Sequence, residues 1–345
     1  MLVLRDLARK STEDLLRSVS LEVSAQEDEA FALGLASAAR EARKAARNWD
    51  FRVPARIVDE FITAPSPRAA AESDDRSRLR RVAVARLALD HFRVTVPLPD
   101  DILSLFPDFL QRLGGFLSGK GRAYDDEFFA KDVRYALGVT LPGGALQFDL
   151  GRIGPRLIAR HAIASGSLET AHRYVRAFGW RRWYYEHMDS RAARQFNPDG
   201  WTDHCLRMAR VLTLNADVAG IVGAGWFYDP ALATVSPSLA YIHQTQIRHG
   251  AFLLRLSTEQ RHVENALYRS AARRRAYSEG RYIPACYMCA WPRKSLLSWA
   301  EQVKRDPCAS FGAFAMTESG TVTGPAAAAA APVTGLALAP SERAA

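Results

Sequence analysis

The spacing of apolar and polar positions divides the chain near residue 120. Before that point, apolar residues return at helical intervals: Leu2, Leu4 and Leu7, then Leu15, Leu16 and Val19. An alanine-rich run with interleaved charges follows from Glu29 to Arg47. Residues three or four apart share one face of a helix, so residues 1–62 predict two or three helices. Ala64–Asp75 (APSPRAAAESDD) breaks the pattern with two prolines and small polar residues, and predicts a mobile linker. Helical spacing resumes over Arg76–His91 through Leu79, Val82, Val84, Leu87 and Leu89. A short helix is predicted over Asp108–Leu117, closed by Gly114-Gly115.

Past Tyr124 the texture changes. Asp132–Leu141 alternates and predicts a strand, whereas Gly151–Ser165 and Leu168–Phe178 predict helices broken at Gly166. Arg182–His187 is dense in aromatics and predicts a strand, followed by a short helix over Asp189–Phe196. Asn197-Pro198-Asp199-Gly200 is a turn, and Asp199 or Thr202 caps a helix reaching Leu214. Val218–Tyr228 is the most apolar run, which predicts a central strand. Leu239–His243 and Ala251–Leu256 predict further strands. Ser257 or Thr258 then opens a helix to Ser278 that Gly280 ends. Ile283–Trp291 is the last strand and Arg293–Val303 the last helix. The Ala- and Pro-rich tail, 307–345, lacks the bulky side chains needed to bury a core and predicts disorder. The expected fold is therefore α+β: a helical N-terminal lobe over 1–120, then a mixed, mostly antiparallel sheet flanked by helices over 121–306.

Composition sharpens where the chemistry lies. Six of the seven Trp fall between Trp180 and Trp299, and seven of the eight His between His161 and His262. Such costly side chains gather in a packed core with a polar site in or beside it. The same stretch holds the positive charge. Residues 151–300 carry 21 Lys and Arg against 10 Asp and Glu, while the rest of the chain carries 25 against 27. That balance favours a small anionic cofactor or substrate, with nucleic acid as an alternative partner. Four cysteines at irregular spacing make no disulfide framework, and the first twenty residues contain no uninterrupted apolar segment. Together these predict a cytoplasmic protein with reduced thiols and no membrane span.

His187-Met188-Asp189 is the sharpest motif. Side chains two apart on a strand share a face, so an imidazole and a carboxylate would lie side by side. Such a pair serves as an oriented general base, or as two facial ligands to iron. Asp229 ends the apolar strand before Pro230, which holds it out of helical geometry, and Tyr228 precedes it. His187, Asp189, Arg191, Trp226, Tyr228 and Asp229 are expected to converge on one pocket. Arg273-Arg274-Arg275, followed by Tyr277 and Arg281-Tyr282, forms a basic run interleaved with aromatics that can track a phosphate backbone. Cys286-Tyr287-Met288-Cys289 places its two thiols on opposite faces of a strand, which predicts buried structural cysteines and no metal.

The predicted order over 180–303, strand, two helices, three strands, helix, strand, helix, resembles that of the GNAT acyltransferases. The resemblance covers about a third of the chain and rests on element order. Where that family has a Q/R-x-x-G-x-G/A phosphate loop, this sequence reads Arg255-Leu256-Ser257-Thr258-Glu259-Gln260-Arg261, without glycine. The resemblance implies an acyl-CoA-dependent N-acyltransferase with a basic cleft. Arg255, Ser257, Thr258 and Arg261 would hold the anionic cofactor, and His187 or Asp229 would take a proton from an amine. A second resemblance, to the iron(II)/2-oxoglutarate oxygenases, rests on His187-x-Asp189 with a distal His and Arg, either His243 with Arg255 or His249 with Arg261. A third reading is a binding protein for an anionic ligand, without chemistry.

Overall fold

The computed structural model describes residues 25–46, 51–63, 73–106, 125–165, 168–178 and 180–311. Expectations for 1–24, for most of the linker, for the helix over Asp108–Leu117 and for the tail past 311 lie outside these residues. All the described residues belong to one compact unit.

The first layer is helical. Helices α1 (Ala25–Ala45), α2 (Val53–Thr63) and α3 (Ser73–His91) pack with α5 (Asp126–Ala136) around Leu35, Val58, Val84, Leu87, Phe129 and Val133. A single-turn helix, α4 (Asp100–Leu103), lies between α3 and α5 in the chain. Arg80 stitches this layer: its Nε donates to Asp59 Oδ1 at 2.8 Å while its guanidinium lies 4.7 Å over the Phe129 ring.

The expected strand over Asp132–Leu141 is corrected, because its first half is the end of α5 and a turn follows. The Asp125 side chain accepts from the Phe128 backbone N–H and starts a helix. Phe129, Val133 and Ala136, three to four residues apart, then form one buried face. Val133 and Tyr135, two apart, face different sides of the helix: Val133 joins the helical layer while Tyr135 reaches Gln147 and Asp189.

The sheet is six-stranded: β1 (Leu141–Pro142), β2 (Gln147–Arg152), β3 (Arg182–His187), β4 (Val218–Gly225), β5 (Phe252–Ser257) and β6 (Cys286–Pro292). Its order is β1-β2-β3-β4-β6-β5. β3 and β4 pair in parallel and every other neighbouring pair is antiparallel. The mixed, mostly antiparallel α+β character is as expected, and β4 lies in the interior of the sheet.

Helices α6 (Pro155–Ser165) and α7 (Leu168–Phe178) cover one sheet face, packing Leu157, Ile158 and Tyr174 on Trp183, Tyr185, Val222, Leu254 and Met288. On the other face, α8 (Pro198–Leu214) carries Trp201, Cys205 and Met208 against Tyr184, Ile221, Cys289 and Trp291. Its start is set by Asn197, whose side chain accepts from the Gly200 N–H, with Pro198 following.

The chain after β4 departs from expectation. A 3-10 turn (Trp226–Tyr228) and a short α9 (Leu232–Val235) lead to α10 (Tyr241–Arg248), where a strand over Leu239–His243 was predicted. Tyr241, Ile242, Thr245 and Gln246 are buried at helical spacing, so packing overrides the strand preference of Tyr and Ile. The helix expected to run to Ser278 is two, α11 (Gln260–Leu267) and α12 (Ala271–Ser278), because Ser270 caps a new start by accepting from Arg273 N–H. The last helix is α13 (Arg293–Arg305). From β3 onward strands and helices therefore alternate, rather than following the order behind the acyltransferase resemblance.

Candidate functional site

Strand directions bring the predicted residues to one edge. β3 and β4 are parallel, and β5 runs the same way because both β4 and β5 are antiparallel to β6. The carboxyl ends of β3, β4 and β5 therefore share an edge with the amino ends of β2 and β6. His187, Asp229, Arg255 and Ser257 all lie along it. Carboxyl ends of parallel strands joined by a crossover helix are where open α/β sheets place their ligands. The crossover here is α8.

His187 is the last residue of β3, opposite Gln147 of β2. Its carboxylate partner is Asp149, not Asp189: Nε2 lies 2.9 Å from Asp149 Oδ2. The strand ends before Asp189, whose buried carboxylate instead takes Tyr135 Oη and Gln147 Nε2, each at 3.2 Å. Asp149 Oδ2 also accepts from Arg134 Nη2 of α5. Burial alone would raise the Asp149 carboxyl, but His187 and Arg134 beside it outweigh that and hold it below the usual range. The His187 side chain keeps 27% of its surface exposed, against 7% for Asp149. Its ring lies 4.9 Å from that of Phe51. Among the described residues, Nδ1 has no hydrogen-bond partner. The outcome is a part-exposed imidazole with one nitrogen held by a carboxylate.

The neighbouring residue on β3 points to the other face. Glu186 Oε1 lies 2.7 Å from His204 Nε2 of α8, and His204 Nδ1 lies 3.0 Å from the Gly143 carbonyl. Both side chains are sealed, at 0% and 1% exposure. Tyr228 sits nearby, its hydroxyl filling the space where a side chain on Gly223 would begin. Burial raises the Cys205 and Cys289 thiols and the Tyr228 hydroxyl, and the nearby Glu186 raises them further. Tyr228 therefore belongs to the core beneath the edge, not to an open pocket.

Asp229 forms a separate network. Its Oδ1 accepts from Ala231 N–H and its Oδ2 from Ala285 N–H, both at 3.0 Å, so it clasps the exit of β4 to the loop before β6. Burial raises its carboxyl, with the two N–H bonds and Arg255 opposing. Trp226 is covered by Arg273, 4.6 Å over its ring. The six residues expected in one pocket thus divide between the His187 network, the core at Tyr228 and the Asp229 clasp. The Arg191 side chain lies outside the described residues.

The junction of β5 with α11 does not fit a diphosphate. Neither Ser257 nor Thr258 caps the helix; the capping position is Glu259, whose side chain makes no cap bond and lies 3.7 Å from Arg160. A carboxylate there occupies the positive end of the helix dipole that a phosphate would need. The Arg261 side chain lies outside the described residues.

The other constellations are similarly placed by packing. Among the described residues no three His, Cys, Asp or Glu side chains gather as metal ligands, so His187-x-Asp189 finds no distal His. Arg273 turns inward to Ala266 O and Ser236 Oγ, and Arg274 caps Leu267 and Tyr268 carbonyls, which takes two of three arginines from the expected basic run. Cys286 and Cys289 pack into the cores on opposite sheet faces, as the spacing predicted.

Asp149, Arg134, Gln147, Glu186 and His204 were not found from the sequence. The alternation of Gln147 and Asp149 with Phe148 and Leu150 is a strand signal, masked because the inward residues on one face are polar.

His243 gives a measurable pH signature. Burial pushes its imidazole down to about 4 from the ordinary 6.5, with a bond to the Phe227 backbone partly opposing. The unfolded chain takes up the proton first as pH falls, so stability is fully present above 6.5 and lost between 6.5 and 4. The loss should approach about 3 kcal/mol. Urea midpoints measured from pH 7 to 4 should fall less steeply in H243Q; parallel curves would contradict this.

No protein-family profile, curated protein or solved structure matches this chain. Among the described residues, no helix is long and apolar enough to cross a membrane.

Proposed function

We propose that this protein is a transferase that moves an acyl group onto an amine, with His187 as the general base. The observation that carries the reading is the part-exposed imidazole held by Asp149 at the carboxyl end of the parallel pair β3–β4. Asp149 accepts a hydrogen bond from Nε2–H, which leaves the lone pair on Nδ1. As the amine nitrogen bonds to the acyl carbon it passes its proton to Nδ1, and the imidazolium formed is stabilised by the Asp149 carboxylate. The donor's C–S bond then breaks, with the thiolate leaving as a thiol by taking that proton back from Nδ1. Asp149 stays ionised throughout; it orients the ring and balances the charge. Phe51 limits water on one side of the ring.

An acyl thioester of coenzyme A is the donor that the resemblance implies. Because Glu259 disfavours a diphosphate at the start of α11, residues 255–261 are assigned no part in the reaction. That separation supplies the test. Purified protein is incubated with a panel of primary amines and either acetyl-CoA or a short acetyl thioester lacking phosphates, and acetylated products are read by mass. Transfer from both donors is expected, with Arg255→Gln leaving both rates within about threefold of wild type, on the order of a rim contact. Absence of product from either donor across the panel would overturn the reading.

A further inference from the structure

Arg134 is bound more tightly than packing alone requires. It lies in the last turn of α5 and is 2% exposed. Nε donates to Thr140 Oγ1 at 3.2 Å, and Nη2 reaches both Asp149 Oδ2 and, at 3.5 Å, the Ala46 carbonyl. Its guanidinium lies 4.7 Å from the centre of the Phe51 ring. The other neighbour of that ring is His187, so one phenyl group lies against both partners of the same carboxylate oxygen. A guanidinium bonded through Nε and Nη2 and stacked on a ring is held in place, with Nη1 buried and without a hydrogen-bond partner among the described residues.

We infer that Arg134 is a positioning residue that keeps Asp149 ionised and held against His187, so that the imidazole can take up a proton; this rests on the reading of His187 as proton acceptor. The physical reason is charge balance. A buried carboxylate bonded only to a neutral imidazole is an uncompensated charge, and the pair then retains a proton to cancel it. Arg is charged at every accessible pH, so it balances Asp149 whether or not His187 carries a proton.

The other groups around the pair act in the opposite direction. Tyr135 comes from α5 and Gln147 from β2, and both hold the Asp189 carboxylate that follows β3. A second carboxylate so near favours a protonated His187, and the Arg134 guanidinium bonded to Asp149 offsets it. The helical layer thus supplies the charge that makes the sheet-edge histidine a base.

The experiment is an NMR titration of the His187 ring resonance, assigned by its loss in H187Q, in wild type, R134Q and R134K. Removing the positive charge should raise the midpoint of the pair by about one pH unit or more in R134Q. R134K keeps the charge but not the fork, and should fall between. If R134Q does not fold, R134M removes the same charge and is read by the same criterion: an upward move supports the inference and an unmoved midpoint overturns it. A midpoint unchanged in R134Q, or R134K equal to R134Q, also overturns it. A purely structural Arg134 would lower the melting temperature without moving the midpoint. The titration needs no turnover, so a moved midpoint together with failed acyl transfer would retain the charge-balance role and reject the proposed reaction alone. With transfer present, the acidic limb of kcat/KM should move with the midpoint.

Discussion

Replacing His187 with glutamine is expected to lower acyl-transfer turnover by about two to four orders of magnitude, the range that a positioned general base contributes. Glutamine keeps a donor facing Asp149 Oδ2, so the buried carboxylate retains a partner and the strand end should hold. What is lost is the second ring nitrogen and its lone pair. Asp149→Asn should also lower the rate strongly, because the acceptor that fixes the tautomer becomes an amide and Arg134 loses its counter-charge. Asp189→Asn should be mild by comparison: the contacts Asp189 makes with Tyr135 and Gln147 survive as hydrogen bonds to an amide oxygen. Rates are compared at fixed pH with near-UV circular dichroism as the check on folding. If H187Q turns over within tenfold of wild type, the proton goes elsewhere and the assignment of His187 is wrong.

A large stability effect is expected at Glu186. Gly143 O can only accept, so His204 Nδ1 carries a hydrogen, and a second hydrogen must lie between His204 Nε2 and Glu186 Oε1. The pair holds that proton whether it is written as imidazolium and carboxylate or as imidazole and carboxylic acid. Glu186→Leu removes the partner of a fully buried imidazole and should cost about 3–5 kcal/mol, the usual range for breaking a buried pair. Glu186→Gln can donate its amide N–H to the neutral imidazole lone pair, so it should cost about 1 kcal/mol, near one ordinary hydrogen bond. Urea unfolding midpoints at unchanged slope measure both. Equal losses for Leu and Gln would mean that shape, not the shared proton, is what the site requires.

The sequence made the elements with one clear period legible. β3, β4 and α8 are where apolar spacing placed them, and the aromatic density of Arg182–His187 marked a strand that is buried over most of its length. Two kinds of element were misread. Asp132–Ala136 and Tyr241–His243 carry strand-favouring residues in short runs, and only tertiary packing decides such runs. The site was legible to one residue of each pair. His187 stood out by its neighbour two positions on, yet its partner is Asp149, 38 residues earlier; Glu186 finds His204 18 residues later. Both distances are set by how helices α6, α7 and α8 return the chain to the sheet, and no local spacing encodes them.

Adjacent Glu186 and His187 face opposite sides of β3, and this has a consequence for how the strand finds its place. Trp183 and Tyr185 pack on one side and Tyr184 on the other, so both faces are aromatic and apolar matching alone discriminates poorly between registers. A slip of one residue would exchange the faces. Glu186 would then meet Asp149, two carboxylates in a buried space, and His187 would turn towards His204 in the apolar core. Each mismatch leaves like charges or unpaired donors where water cannot reach them. The two His–carboxylate pairs therefore act as a lock on alignment: β3 closes onto β2 and α8 in its own register and not one residue away, because that slip puts acid on acid and base on base.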